Sequence, residues 1–176
     1  MKAEFMLLGL AALAVPAAVH ATTYLSVQQV QALMFPGEAL KPDARTLSDT
    51  QIAAIRKDSG EAPLSRELKA WRAAGGGWLM VDEVVGKHEF ITLAVGLDAA
   101  GAVRGVEIMD YREAYGGQVR GGAWRGQFTG KRHGAPLRLG RDIQNISGAT
   151  LSSKHVTDGV RRLLATHALV LAPSVS

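Results

Sequence analysis

Ser147-Gly148-Ala149-Thr150 brings a threonine hydroxyl, at the end of a run of small residues, to the start of Leu151 to Ala168, where Val156, Val160, Leu163 and Leu164 recur at helical spacing. A helix beginning there sets unsatisfied backbone N–H groups and the positive end of its dipole beside that hydroxyl, and both favour an anion. A phosphate is the natural occupant. A plainer reading makes Thr150 the helix N-cap and Gly148 a turn glycine, and the residues alone leave both open. Other constellations drop out. His20, His88, His133, His155 and His167 form neither HExxH nor a paired metal spacing. Ser152-Ser153 near His155 lacks the GxSxG elbow of a nucleophilic serine, and neither GxGxxG nor a Walker loop occurs. With no cysteine in 176 residues, thiol catalysis, iron–sulfur clusters and disulfides are excluded. Redox chemistry would need an organic cofactor, or a metal on N and O ligands.

The elements that must position this segment are α+β. Ser26 to Phe35 carries Val27, Val30, Leu33 and Met34 at helical intervals, and Ser48 with Gln51 is a capping-box pattern opening a second helix through Ile52 and Ile55. Residues 65 to 74 read as a third helix or as irregular chain, with Gly75-Gly76-Gly77 as a hinge or tight loop. From Trp78 the period becomes extended. Trp78 to Val85 and His88 to Leu97, turned by Gly86-Lys87, predict a hairpin, and Ala102 to Asp110 adds a third antiparallel strand. The result is a small antiparallel meander between N-terminal helices and a C-terminal helix. Residues 111 to 142, rich in Gly, Arg and aromatics, read as a long functional loop region.

Ser147-Gly148-Ala149-Thr150, preceded by Asp142 and followed by Leu151-Ser152-Ser153, resembles the flavinylation motif of the FMN-binding domain family. That family includes a subunit of the sodium-pumping NADH:quinone reductase, its counterpart in the Rnf electron-transport complex, and soluble periplasmic flavoproteins. The strands Phe90 to Asp98 and Gly101 to Met109 are similar to that domain's hairpin, so the resemblance covers about residues 78 to 168. It implies FMN joined through its phosphate to Thr150 by a flavin transferase that uses FAD as donor, with Asp142, Ser147, Gly148, Ala149, Leu151 and Ser152 around the attachment point. The family's E-T-P-G-like loop is replaced here by Glu113-Ala-Tyr115-Gly116-Gly117, which lacks its Thr and Pro. Glu113, Tyr115 and Trp124 are candidate ring neighbours, Gly116 and Gly117 permit close backbone approach, and Lys154 could offset phosphate charge.

The apolar run from Phe5 to Val19, after Lys2 and closing on Val19-His20-Ala21, reads as a signal peptide cleaved after Ala21. The expected divisions are therefore 1–21 signal, 22–77 N-terminal helical segment and 78–176 FMN-binding domain. At 47% hydrophobic and 20% charged residues, the chain is neither disordered nor a polytopic membrane protein. Arg120 to Arg162 holds nine Lys or Arg against Asp142 and Asp158, a local +7. In an exported protein, that charge suits a phosphate-bearing cofactor, an anionic membrane surface or an acidic partner better than nucleic acid. Together these features imply a periplasmic electron-transfer flavoprotein serving redox protein partners, some of them membrane-associated, and acting as a carrier rather than a reductase. The rival reading is an exported basic binding module whose Ser-Gly-Ala-Thr is only a helix cap.

Overall fold

A computed structural model describes residues 22–172, so the leader expected over 1–21 lies outside it. All strand pairings are antiparallel. Thr22–Thr23 (β1), Leu40–Pro42 (β2), Glu67–Ala73 (β4), Trp78–Val85 (β5), Phe90–Leu97 (β6) and Val103–Tyr111 (β7) align in the order β1-β7-β6-β5-β4-β2, and Arg45–Thr46 (β3) pairs with the start of β4. The expected meander is β5, β6 and β7. The reading of residues 65 to 74 as helical or irregular is corrected: they form strand β4, with Leu68 and Ala70 buried on one face and Ala73 on the other. The three glycines close the β4–β5 hairpin, with Ala73 N–H bonded to the Gly77 carbonyl at 2.9 Å. Exposed Glu67 and Lys69 on one face and exposed Arg72 on the other hid the period of 2.

Why β5 and β6 are nearly continuous apolar runs follows from burial on both faces. Trp78, Met80, Val84, Ile91, Leu93, Val95 and Leu97 pack with Val156, Val160, Leu163 and Leu164 of the long helix Thr150–Thr166. Leu79, Val81, Ala94 and Met109 face the other way, onto Val30, Met34 and Phe35. The latter belong to, or directly follow, the helix Val27–Met34 (α1). A second helix, Asp49–Ser59 (α2), lies beside the long one. Both α1 and α2 begin with the capping boxes their sequences announce, Ser26 with Gln29 and Ser48 with Gln51. After β7 the expected long loop contains short helical turns at Gly117–Arg120, Gly122–Arg125 (α3) and Gly126–Phe128. Thr150–Thr166 is α4, continued by a π-helical turn to Leu171.

Two contacts bolt α4 to the sheet. A Cβ at Gly159 would stand 2.6 Å from the Val84 side chain, so only glycine lets the helix backbone come this close. Arg162, 4% exposed, donates to the Asp82 carboxylate at 2.7 Å and to the Glu83 carbonyl. A buried guanidinium is tolerated because its donors are met.

Candidate functional site

Antiparallel pairing of Val85 with Phe90 and of Ile91 with Tyr111 puts the β5–β6 turn and the loop after β7 at one end of the sheet. The start of α4 arrives at the same end. Between them lies a cleft of about 410 Å³ lined by Lys87, His88, Glu113, Ala114, Tyr115, Gly116, Gly148, Ala149, Thr150, Leu151 and Ser152, a volume within the usual range for small-molecule sites.

Thr150 is exposed, and it is not the cap. Ala149, with φ −130° and ψ 27°, occupies the N-cap position, offers no side-chain acceptor, and takes the Ser153 N–H on its carbonyl at 2.9 Å. The plainer reading of Thr150 as an N-cap is thereby corrected. Its hydroxyl, free of the first-turn amides, accepts a hydrogen bond from Asn145 Nδ2 at 3.1 Å. Ile146 to Ala149 form a tight turn, with the Ala149 N–H on the Ile146 carbonyl and Gly148 at φ +80°, a conformation glycine adopts freely.

The opposite wall is held by two hydrogen-bonding centres. The Tyr111 hydroxyl donates to the Tyr115 carbonyl and lies 3.0 Å from Ser152 Oγ, which joins the β7 loop to the first turn of α4. Burial pushes the Tyr111 phenol above its ordinary pKa, against the Ser152 hydrogen bond, so it stays a neutral hydroxyl. Gly116, at φ +90°, fits beneath this pair because a Cβ there would sit 2.6 Å from the Tyr111 oxygen and 2.7 Å from Ser152 Oγ. The Glu113 carboxylate turns into the β5–β6 turn and accepts the His88 N–H at 2.6 Å and the Glu89 N–H at 3.1 Å. Partial burial raises its pKa, but the amides of His88, Glu89 and Lys87 outweigh that and hold it below the ordinary carboxylate value. Its charge is consumed in holding the turn.

Of the residues the sequence nominated, Gly148, Ala149, Thr150, Leu151, Ser152, Glu113, Tyr115 and Gly116 line the cleft together. Tyr115 is 86% exposed and Leu151 45% exposed. Ser147 and Gly117 flank the cleft without lining it. Trp124 belongs to the core instead: it is buried, stacks edge-on against Phe128 and donates its indole N–H to the Gln144 carbonyl at 2.6 Å. Lys154 points along its helix to Asp158 at 2.7 Å and borders a separate hollow. Asp142 also lies off the cleft, its carboxylate held low first by the Arg138 hydrogen bond and bridging the Arg138 side chain at 3.1 Å. Sequence reasoning missed Lys87, His88, Tyr111 and Asn145. The predicted hairpin register already implied that the 86–89 turn meets the chain after β7, whereas nothing in the spacing marked Tyr111 or Asn145.

Comparison with known proteins agrees with this geometry. Residues 86–165 match the model of the FMN-binding domain family. The matched segment spans β6, β7, the cleft-lining loops and nearly all of α4. Over 79 residues the chain is 34% identical to one component of the Na(+)-translocating ferredoxin:NAD(+) oxidoreductase complex of Acetobacterium woodii. That alignment covers 40% of this chain and 38% of the relative, so the chain spans well under half of that protein's length.

Proposed function

We propose that this protein is an exported electron-transfer flavoprotein whose FMN is held by a phosphoester to Thr150. The observation that carries the reading is the Thr150 hydroxyl. It is exposed at the first turn of a helix that lacks a side-chain cap, and it opens onto a cleft of ligand size. The first-turn amides and the dipole of α4 suit a phosphate bound there. Gly148 and Ala149 leave room beside it, Lys87 adds a positive charge across the cleft, and the exposed Tyr115 ring is placed to cover a planar group. Flavin supplies one- and two-electron transfer, and the protein's part is to position, shield and tune it.

An ester bond suits an exported carrier, because a dissociable cofactor would be lost by dilution outside the cell. A flavin transferase drawing on FAD would install it, and the redox partners would be proteins, including a membrane-side donor or acceptor. The relative's place in an oxidoreductase complex supports that class of partner. No nicotinamide fingerprint occurs in the chain, which favours a carrier over a reductase.

The test is intact mass after coexpression with a flavin transferase and export. The expected product begins at Thr22, carries the added mass of FMN less one water, and stays yellow after denaturation. A colourless protein of unmodified mass, with the transferase active on a control substrate, would sink the proposal. Rapid NADH oxidation by the purified protein alone would replace the carrier by a reductase.

A further inference from the structure

Asn145 makes the hydrogen bond that reaches the Thr150 hydroxyl, its Nδ2 donating at 3.1 Å. Its position is fixed from behind. The Gln144 carbonyl accepts the Trp124 indole N–H at 2.6 Å, and the Gln144 N–H donates to Gln127 Oε1 at 2.8 Å. Gln127 in turn donates to the Trp124 carbonyl at 3.1 Å, and Trp124 and Phe128 are buried in the core. The backbone immediately before Asn145 is therefore anchored to the core, although the Asn145 and Thr150 side chains are exposed. Between them the Ile146–Ala149 turn folds the chain back on itself, so the amide and the hydroxyl meet across its mouth.

We propose that Asn145 is the positioning residue for modification of Thr150, a role that rests on the phosphoester reading above. A threonine hydroxyl has one proton and two lone pairs. The Asn145 amide occupies one lone pair, fixes the side-chain rotamer and leaves the other lone pair and the proton turned toward solvent. In the transfer, Thr150 Oγ1 attacks the phosphorus that bears the riboflavin arm of FAD. The new O–P bond forms as the pyrophosphate P–O bond breaks, AMP departs with that electron pair, and the hydroxyl proton passes to a base of the transferase. As that proton leaves, negative charge grows on Oγ1, and an oriented N–H beside the attacking oxygen stabilises the ionised nucleophile while holding its aim.

The experiment compares purified apo forms of the wild type, Asn145→Asp, Asn145→Ala and Thr150→Ala, each incubated with FAD and limiting flavin transferase. Flavin incorporation is followed by intact mass, and melting temperature is recorded for each. Asn145→Asp keeps the shape but, ionised, cannot donate. Both Asn145 variants should load roughly tenfold more slowly or worse, the weight of one hydrogen bond to a group developing charge, through kcat rather than KM and at unchanged melting temperature. Wild-type loading rates in both, with Thr150→Ala inert, overturn the role of Asn145 and leave the Thr150 assignment standing. Slow loading that tracks a fall in melting temperature overturns it in favour of a loop brace. Full loading of Thr150→Ala removes the phosphoester reading, and this inference falls with it.

Discussion

Thr150 and the two positive-φ glycines beside it separate chemistry from architecture. Because Thr150 is the first residue inside α4 and exposed, Thr150→Ala should abolish covalent flavin yet move stability by less than about 0.5 kcal/mol, as exposed substitutions away from caps do. Intact mass and a denaturant titration read both quantities on one sample. Gly148 and Gly116 make a second pair. A Cβ at Gly148 meets nothing within 4 Å, whereas at Gly116 it meets two oxygens of the Tyr111–Ser152 pair at under 3 Å. Gly148→Ala should therefore cost only the left-handed backbone penalty, about 1 kcal/mol, and Gly116→Ala about 3 kcal/mol through added overpacking. Equal losses in chemical denaturation would show that the two walls are not independently built. Asp142 is bridged to Arg138 on the surface and accepts the Arg138 backbone N–H, so it braces its own loop.

At the level of elements, the cleft depends on the β5–β6 turn staying docked on the loop after β7, and Glu113 is the clasp. Its folded pKa is depressed below the ordinary carboxylate value, so its contribution to stability is present above the unfolded pKa and is lost as pH falls through the lower folded value. Glu113→Gln should remove that component, flattening the acid limb of a stability–pH profile below about pH 4.3 while changing little in its slope at neutral pH. Thermal melts between acid and neutral pH check it, and an unchanged acid limb would assign acid sensitivity elsewhere. The elements themselves were largely legible. Capping boxes at Ser26 and Ser48, the extended period from Trp78 and the amphipathic stretch after Thr150 are local signals, and each became the element it announced. Strand β4 was hidden because exposed charges stand on both of its faces, Glu67 and Lys69 on one and Arg72 on the other, and its buried residues Leu68, Ala70 and Ala73 do not keep a single alternation. The Ser147–Thr150 loop was legible as a motif. The clamp by Tyr111 and the Asn145 bond were not, because they arise from tertiary pairing across 41 residues and from a turn geometry.

Over the whole molecule, the basic stretch from Arg120 to Arg162 proves to be partly internal fastening. Arg125 pairs with Glu107, Arg138 with Asp142, Lys154 and Arg161 with Asp158, and Arg162 with Asp82. A broad cationic docking face is correspondingly reduced. The contact of Gly159 with Val84 has a larger consequence. A helix whose backbone rests directly on the sheet gives whatever hangs from its first turn a fixed mount, not a swinging arm. On the proposed reading, the flavin does not swing between two stations. Donor and acceptor must each come to the same cleft, and one must leave before the other docks. The expected kinetics are ping-pong: parallel lines in double-reciprocal plots, with oxidised donor competing against the acceptor. Intersecting lines would mean that both partners bind at once, and that the molecule is a wire instead of a shuttle.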